Sequence, residues 1–406
     1  MDSSYTFIVV GMVAAVACGG SGSSPTAPTS VATTTAIPAQ PSTWKVNGWI
    51  GGFGVGGWVE NATVRVGSTA SATTNAGGYF ELEVDQSGLL PVVIEASGFH
   101  KSESYLDVNF SKTTTISAYQ LLLPNNNTAV FDMEFFDHVF RDSGTRGTRR
   151  WVTIPTVEIW TKKMKCLETM EEYDDKYCAK WEATATATPS VFESYIRSVV
   201  NTDIPDLTDD VLSGISITTK SHATGTVLEL PSCGERQPSS ISVAYMTPGS
   251  TNLKGYSRAW SCRYSTGEVR AGDIHMNQAY HAADLKVYQH EFAHLLGWRH
   301  PDGQEAVPRL SIMSPKPRTI TSLDRSSGRV LYKYRAAGNM SPDKELSGNT
   351  INWPTWTRTF DFDAPNMHMG SEMGPTVMAP NPFTNNPTVP MGQGQFRGPL
   401  IEEVDY

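Results

Sequence analysis

Three histidines and a glutamate lie close together in the stretch His290-Glu291-Phe292-Ala293-His294-Leu295-Leu296-Gly297-Trp298-Arg299-His300. His290 and His294 are one helical turn apart, so both imidazoles project from the same face of a helix. Leu285, Tyr288, Phe292 and Leu295 fall on another face with the spacing of a buried helix side. Gly297 is suited to the positive φ that ends a helix, and the turn it permits brings His300 back toward the first two rings. Three neutral imidazoles meeting at one point leave a fourth coordination position open. That is the ligand set of a catalytic zinc ion rather than a closed structural one. Glu291 stands beside the first ligand, where a carboxylate can take a proton from water on such an ion. An ordinary buried amphipathic helix would account for His290 and His294 alone. It does not account for Gly297 and His300 at their fixed offsets, so the metal reading prevails.

The elements around this stretch must position it. The chain has 406 residues, enough for two or three domains with their own cores. Hydrophobic residues make up 39% and aromatic residues 10%, a globular composition, while a net charge of -9 with scattered Lys and Arg excludes a nucleic-acid footprint. Residues 1–18 contain a short apolar run, Phe7 to Ala17, too short to span a bilayer but right for a signal-peptide core. Residues 19–43 are Ser, Thr, Gly, Ala and Pro with few large apolar side chains, a disordered tether. Residues 44–124 show short alternating stretches, Ala62 to Val66, Tyr79 to Val84, Val92 to Ala96 and Thr114 to Tyr119, separated by turn signals such as Asn75-Ala76-Gly77-Gly78. This spacing predicts a small antiparallel β-sandwich.

Residues 125–338 carry strand patterns at Val152 to Ile154, Val157 to Trp160, Ile215 to Ile217, Ile241 to Tyr245 and Gly272 to Asn277. A helical face runs from Pro189 to Val200. Residues 339–406 are rich in Pro, Asn, Gly and Met without helical or strand periodicity, and read as a largely disordered tail. Of five cysteines, Cys18 belongs to the N-terminal run. The other four pair most simply as Cys166 with Cys178 and Cys233 with Cys262, since no C-x-x-C spacing points to a metal site. His138, His222, His275 and His281 read as surface or structural histidines, and Asp302 as a turn residue or a group that orients a ligand.

The zinc stretch resembles the metzincin metalloprotease signature, H-E-x-x-H-x-x-G-x-x-H, at every fixed position. Ser311-Ile312-Met313-Ser314-Pro315 resembles the metzincin Met-turn, which places the apolar side chain of Met313 under the metal. Pro315 stands where astacin-like enzymes carry a zinc-touching tyrosine, which favours a matrixin-like arrangement, and Leu323 to Tyr332 resembles the helix that follows the Met-turn there. The resemblance implies an α+β catalytic domain binding zinc through His290, His294 and His300, with Glu291 as general base and a peptide or protein as substrate. It also implies that a strand at Gly272 to Asn277 forms the upper edge of the cleft and pairs with extended substrate by strand addition. Asn61 to Val66, Thr74 to Phe80 and Ala96-Ser97-Gly98-Phe99 resemble the carboxypeptidase regulatory-like, transthyretin-like domain. Ala15-Val16-Ala17-Cys18, followed by Gly19 to Ser24, resembles a bacterial lipobox with Cys18 as the lipidated residue, although Met1 to Ser4 lacks the usual Lys or Arg.

Together these readings predict a multidomain chain, a small sandwich followed by an α+β metzincin-type domain. They describe an exported zinc endopeptidase, lipid-anchored in a bacterial envelope or secreted, that meets membrane only through the anchor and binds no nucleic acid. Calcium dependence is left open. The competing readings are a surface binding or adhesion lipoprotein that keeps zinc without turnover, and a metallohydrolase of non-peptide substrates.

Overall fold

Alternation of apolar and polar residues with a period of two puts one side of a strand into a core and the other into water. In the computed structural model this pattern sets most of the chain, which is β-rich with several sheets and few helices. The structure describes residues 43–54, 57–108, 115–126, 128, 130–141, 144, 146–170, 177–229, 233–247, 257–277, 284–300, 311–314, 319–346 and 400–405. Residues 1–42, including Cys18, lie outside them, as do His281 and Asp302.

The first strands are β1 (Trp44–Gly52), β2 (Gly57–Trp58), β3 (Thr63–Val66), β4 (Ala70–Thr73), β5 (Tyr79–Val84), β6 (Gly88–Glu95), β7 (Ser102–Val108) and β8 (Thr115–Leu122). They form two four-stranded sheets, β2-β1-β5 with β8 beside β1, and β4-β3-β6-β7. Val46 and Ile50 of β1, Phe80 and Leu82 of β5, Val64 of β3, Ile94 of β6 and Val108 of β7 share one core. One pairing departs from the antiparallel expectation: β8 runs parallel to β1 over Lys45 to Gly52. A parallel pair needs a crossover connection, which the long path through the second sheet supplies and local alternation does not register.

The chain then forms α1 (Met133–Phe140), β9 (Arg150–Trp151), β10 (Thr156–Trp160), β11 (Lys162–Met170) and β12 (Tyr177–Ala187). The strand expected at Val152 to Ile154 is displaced to β9, because Pro155 follows directly and cannot donate to a ladder. Helix α2 (Ser190–Ser198) continues through Asp203 into α3 (Ile204–Thr208), and is followed by β13 (Ser216–Lys220), β14 (Val227–Glu229), β15 (Ser240–Thr247), β16 (Arg258–Tyr264) and β17 (Glu268–Asn277). After these come α4 (Leu285–Leu296), α5 (Ser322–Arg329), which runs on to Tyr334, and β18 (Leu400–Asp405).

β9 to β18 form a ten-stranded sheet. Strands β13, β10, β15 and β17 run parallel side by side, and β16 follows antiparallel to β17. Helices α2 and α4 pack together through Phe192, Tyr195 and Tyr288, with Tyr195 and Tyr288 ring centroids 5.3 Å apart, and share a core with Val243, Ile274 and Met276. The hairpin β11–β12 extends the sheet, and its Trp181 packs on His275 at 4.7 Å, which makes His275 a buried structural histidine. Both expected disulfides form, Cys166–Cys178 and Cys233–Cys262. Constraints of this kind stabilise by about 2–4 kcal/mol each.

Two expectations are corrected here. Strand β17, predicted as an edge, lies between β15 and β16, since the chain reverses at Tyr264 to Gly267 and lays β16 on its outer side. The tail is also partly ordered. Asn339, Asp343 and Glu345 are buried in a polar network, and Leu400–Asp405 is a strand. The Arg335 guanidinium donates to both Asp343 carboxylate oxygens at 2.5 and 2.8 Å and to the Leu121 carbonyl at 2.7 Å. Glu103 of β7 exchanges backbone bonds with Asp343 and Glu345, and Phe53 packs on Phe131 and Tyr334. Polar contacts of this kind have no periodicity, so composition alone does not reveal them.

Candidate metal centre

Helix α4 begins at Asp284, whose side chain accepts the Lys286 backbone N–H at 3.0 Å, an N-cap that satisfies an otherwise orphaned donor. Its other end is held from four directions. Gly297 adopts φ 113°, and a Cβ there would run into the Arg149 carbonyl, so the turn requires glycine. The Gly297 and Trp298 N–H groups return to the His294 and Ala293 carbonyls. The Leu295 carbonyl accepts from the Trp151 indole at 2.8 Å, and the Leu296 carbonyl from the Tyr332 hydroxyl at 2.8 Å. Trp151 and Tyr332 are buried, so the last turn of the helix is fixed by side chains from β9 and from the continuation of α5.

The three imidazoles converge. One ring nitrogen from each of His290, His294 and His300 lies within 4.8 Å of the others, and His290 Nε2 is 2.9 Å from His300 Nε2. Two nitrogens on a tetrahedral zinc stand about 3.3 Å apart, within this range. Protonation follows from the neighbours. His290 Nδ1 sits 2.7 Å from the Ile312 carbonyl and His294 Nδ1 sits 3.0 Å from the Trp298 carbonyl. A carbonyl only accepts, so each Nδ1 carries the proton and each Nε2 presents a lone pair. Burial, reinforced by the neighbouring imidazoles, holds His294 well below its ordinary value, and burial with His290 beside it brings His300 down to about 4. His294 and His300 are therefore neutral donors at neutral pH. The donor set, its tautomers and its spacing fit a divalent cation of the zinc type.

Glu291 is buried at 5% exposure on the same turn as His290. Met313 is fully buried in the loop whose Ile312 carbonyl orients His290. That loop is held by a residue the sequence reading passes over as part of a helix. The buried Asp324 carboxylate accepts from the Ser311 hydroxyl at 2.6 Å, the Ile312 N–H at 3.1 Å, and the Thr321 N–H and hydroxyl at 3.0 and 2.8 Å. The signal was present: Thr321-x-x-Asp324 is a capping box before a helix, and the reciprocal Asp324 N–H to Thr321 hydroxyl bond completes it at 3.1 Å. Arg149 is a second omission. Its guanidinium donates at 3.2 Å to the Trp298 carbonyl that also receives His294 Nδ1–H.

No family model matches the sequence, and a comparison with curated proteins finds no match. Solved structures resemble parts of it. One is a type II cohesin–X-dockerin complex from Acetivibrio cellulolyticus, at 24% identity over 20% of this chain and 58% of that one, TM-score 0.17. A membrane-associated protein of unknown function from Bacteroides fragilis matches at 18% identity over 22% and 30%, TM-score 0.17. The Bacillus anthracis TIE protein matches at 10% identity over 57% and 41%, TM-score 0.18. Each likeness spans less than two thirds of the other chain, and none carries an argument about activity.

Proposed function

We propose that the chain is a zinc-dependent endopeptidase whose region 125–338 is a metzincin-type, matrixin-like α+β catalytic domain. The observation that carries this reading is the convergence of His290, His294 and His300, with the Nδ1 protons of His290 and His294 turned outward to carbonyls. A non-catalytic binding site has no need of a base beside the metal, and the buried Glu291 carboxylate on the same turn as His290 supplies one. His290, His294 and His300 would hold the ion, which when bound supplies Lewis acidity toward a carbonyl and lowers the pKa of water. Glu291 accepts the proton of the attacking water and delivers it to the leaving amine nitrogen. Ile312 and Trp298 keep two rings in the ligating tautomer through their carbonyls. Residues 44–124 serve as a carboxypeptidase regulatory-like companion to the catalytic region. Residues 1–18 form a lipoprotein-type signal ending at Cys18, and residues 19–43 a tether to a bacterial envelope. The disulfides support export to an oxidising compartment, and among the described residues no helix is long and apolar enough to cross a membrane.

The test pairs two substitutions. Glu291→Ala is expected to keep zinc stoichiometry and fold while lowering casein hydrolysis by roughly 10²–10⁴-fold. His294→Ala is expected to lose both metal and activity. Zinc binding without cleavage of casein by the unsubstituted chain would favour the binding lipoprotein, and cleavage of small esters alone would favour a non-peptide hydrolase.

A further inference from the structure

The zinc helix lies beneath the outer strands of the large sheet. A Cβ at Gly272 of β17 would meet the Leu295 side chain of α4 at 2.8 Å, and Ala259 of β16 belongs to the same core as Phe292 and Leu296. Because β17 is flanked on both sides, the ladder edge on this side of the sheet is the outer edge of β16, a strand that itself contacts α4. An open edge beside a catalytic centre is the natural template for an extended polypeptide, since every second residue presents an unpaired N–H and C=O. Here the edge is taken. Leu400–Asp405 pairs antiparallel with β16, from Ala259 opposite Asp405 to Tyr264 opposite Leu400. A polypeptide added outside β18 would lie a further ~4.8 Å from the helix that carries the histidines.

We propose that Leu400–Asp405 is a built-in occupant of the place where an extended polypeptide pairs, so that the chain competes with its own substrate for the edge of β16. The inference rests on the peptidase reading for its substrate class, but the binding it describes is measurable without turnover. The probe is fluorescein-labelled, reduced and alkylated casein, followed by anisotropy against Glu291→Ala protein in three forms. One is full length, one ends at Pro399, and one is full length with Glu402→Pro and Glu403→Pro together. Of two adjacent strand residues one donates its N–H into the ladder, so the double proline unpairs the strand in either phase.

Both altered forms are expected to bind casein about tenfold more tightly than the full-length form. Their amides in Arg258–Tyr264 are expected to exchange faster with deuterium. The free peptide Leu-Ile-Glu-Glu-Val-Asp should compete with casein and restore protection. Equal casein affinity in all three forms, or unchanged exchange in Arg258–Tyr264, overturns the proposal. With Glu291 restored, tighter binding without hydrolysis would support the strand's role and sink the peptidase reading. Hydrolysis at an unchanged KM after removal of the strand would do the reverse.

Discussion

Asp324 offers the sharpest test of how the site is held, because it touches none of the three histidines yet bonds the loop whose Ile312 carbonyl meets His290. Replacing it with Ala leaves the Ser311 hydroxyl and the Ile312 N–H without an acceptor in a fully buried place, while the two Thr321 donors are only partly buried. Each stranded buried donor costs about 1–3 kcal/mol. The expected loss is therefore roughly 2–6 kcal/mol of unfolding free energy, read by urea titration of the metal-free protein. Asp324→Asn retains one carbonyl oxygen and should lose only about 1–2 kcal/mol. In both variants the Ile312 carbonyl is freer to move from His290, so zinc affinity should fall about 10–100-fold by competition with a chromophoric chelator.

The pH dependence has a definite sign. Burial raises the Asp324 pKa above 3.8 despite the hydrogen bonds from Ser311, Thr321 and Ile312 that oppose it. A raised folded value means the stabilising contribution is full below the unfolded value and is lost as pH rises through the folded one. Asp324→Asn should abolish that slope. If Asp324→Ala lowers stability as expected but leaves zinc affinity unchanged, the loop does not orient His290 through Asp324. If stability changes by less than about 0.5 kcal/mol, the buried donors are satisfied in another way.

Two further outcomes are expected elsewhere in the chain. Burial pushes Glu345 up to about 7, with Asp343 adding to the effect and Arg335 opposing it, so its stabilising contribution is present below pH 4.5 and lost as pH rises through about 7. Glu345→Gln should remove a loss on the order of 3 kcal/mol from the comparison of urea unfolding at pH 4.5 and pH 8, and an unchanged difference between the two pH values would refute it. If Cys18 carries a lipid, Cys18→Ser expressed in a bacterial host should move the protein from the membrane to the soluble fraction; continued membrane partition would reject the lipobox reading.

What was legible in the sequence is what is local. His290 to His300 announces its helix, its glycine stop and its third ring, because all are fixed by offsets along one chain segment. The strands of the sandwich and both disulfides were readable for the same reason: short alternation in one case, short loops in the other. The parallel partner of β1 and the interior place of β17 were not readable, since strand order is decided by crossovers. Helix α1 passed unread although Asp132 caps it, its carboxylate accepting the Phe135 N–H at 2.9 Å.

The division between local and distant information runs through the candidate metal centre itself. Two of the three converging rings, His290 and His294, have their Nδ1 held by a carbonyl, and those carbonyls belong to Ile312 and Trp298. Their positions depend in turn on Asp324, on Arg149 and on the capping of α4 by Trp151 and Tyr332, drawn from segments up to 181 residues apart in sequence. Removing any one of these supports is expected to leave the signature intact and the three histidines less well aimed. The motif therefore specifies which atoms can bind a metal, while the aim of those atoms is a property of the packed sheet, the loop at Met313 and the continuation of α5.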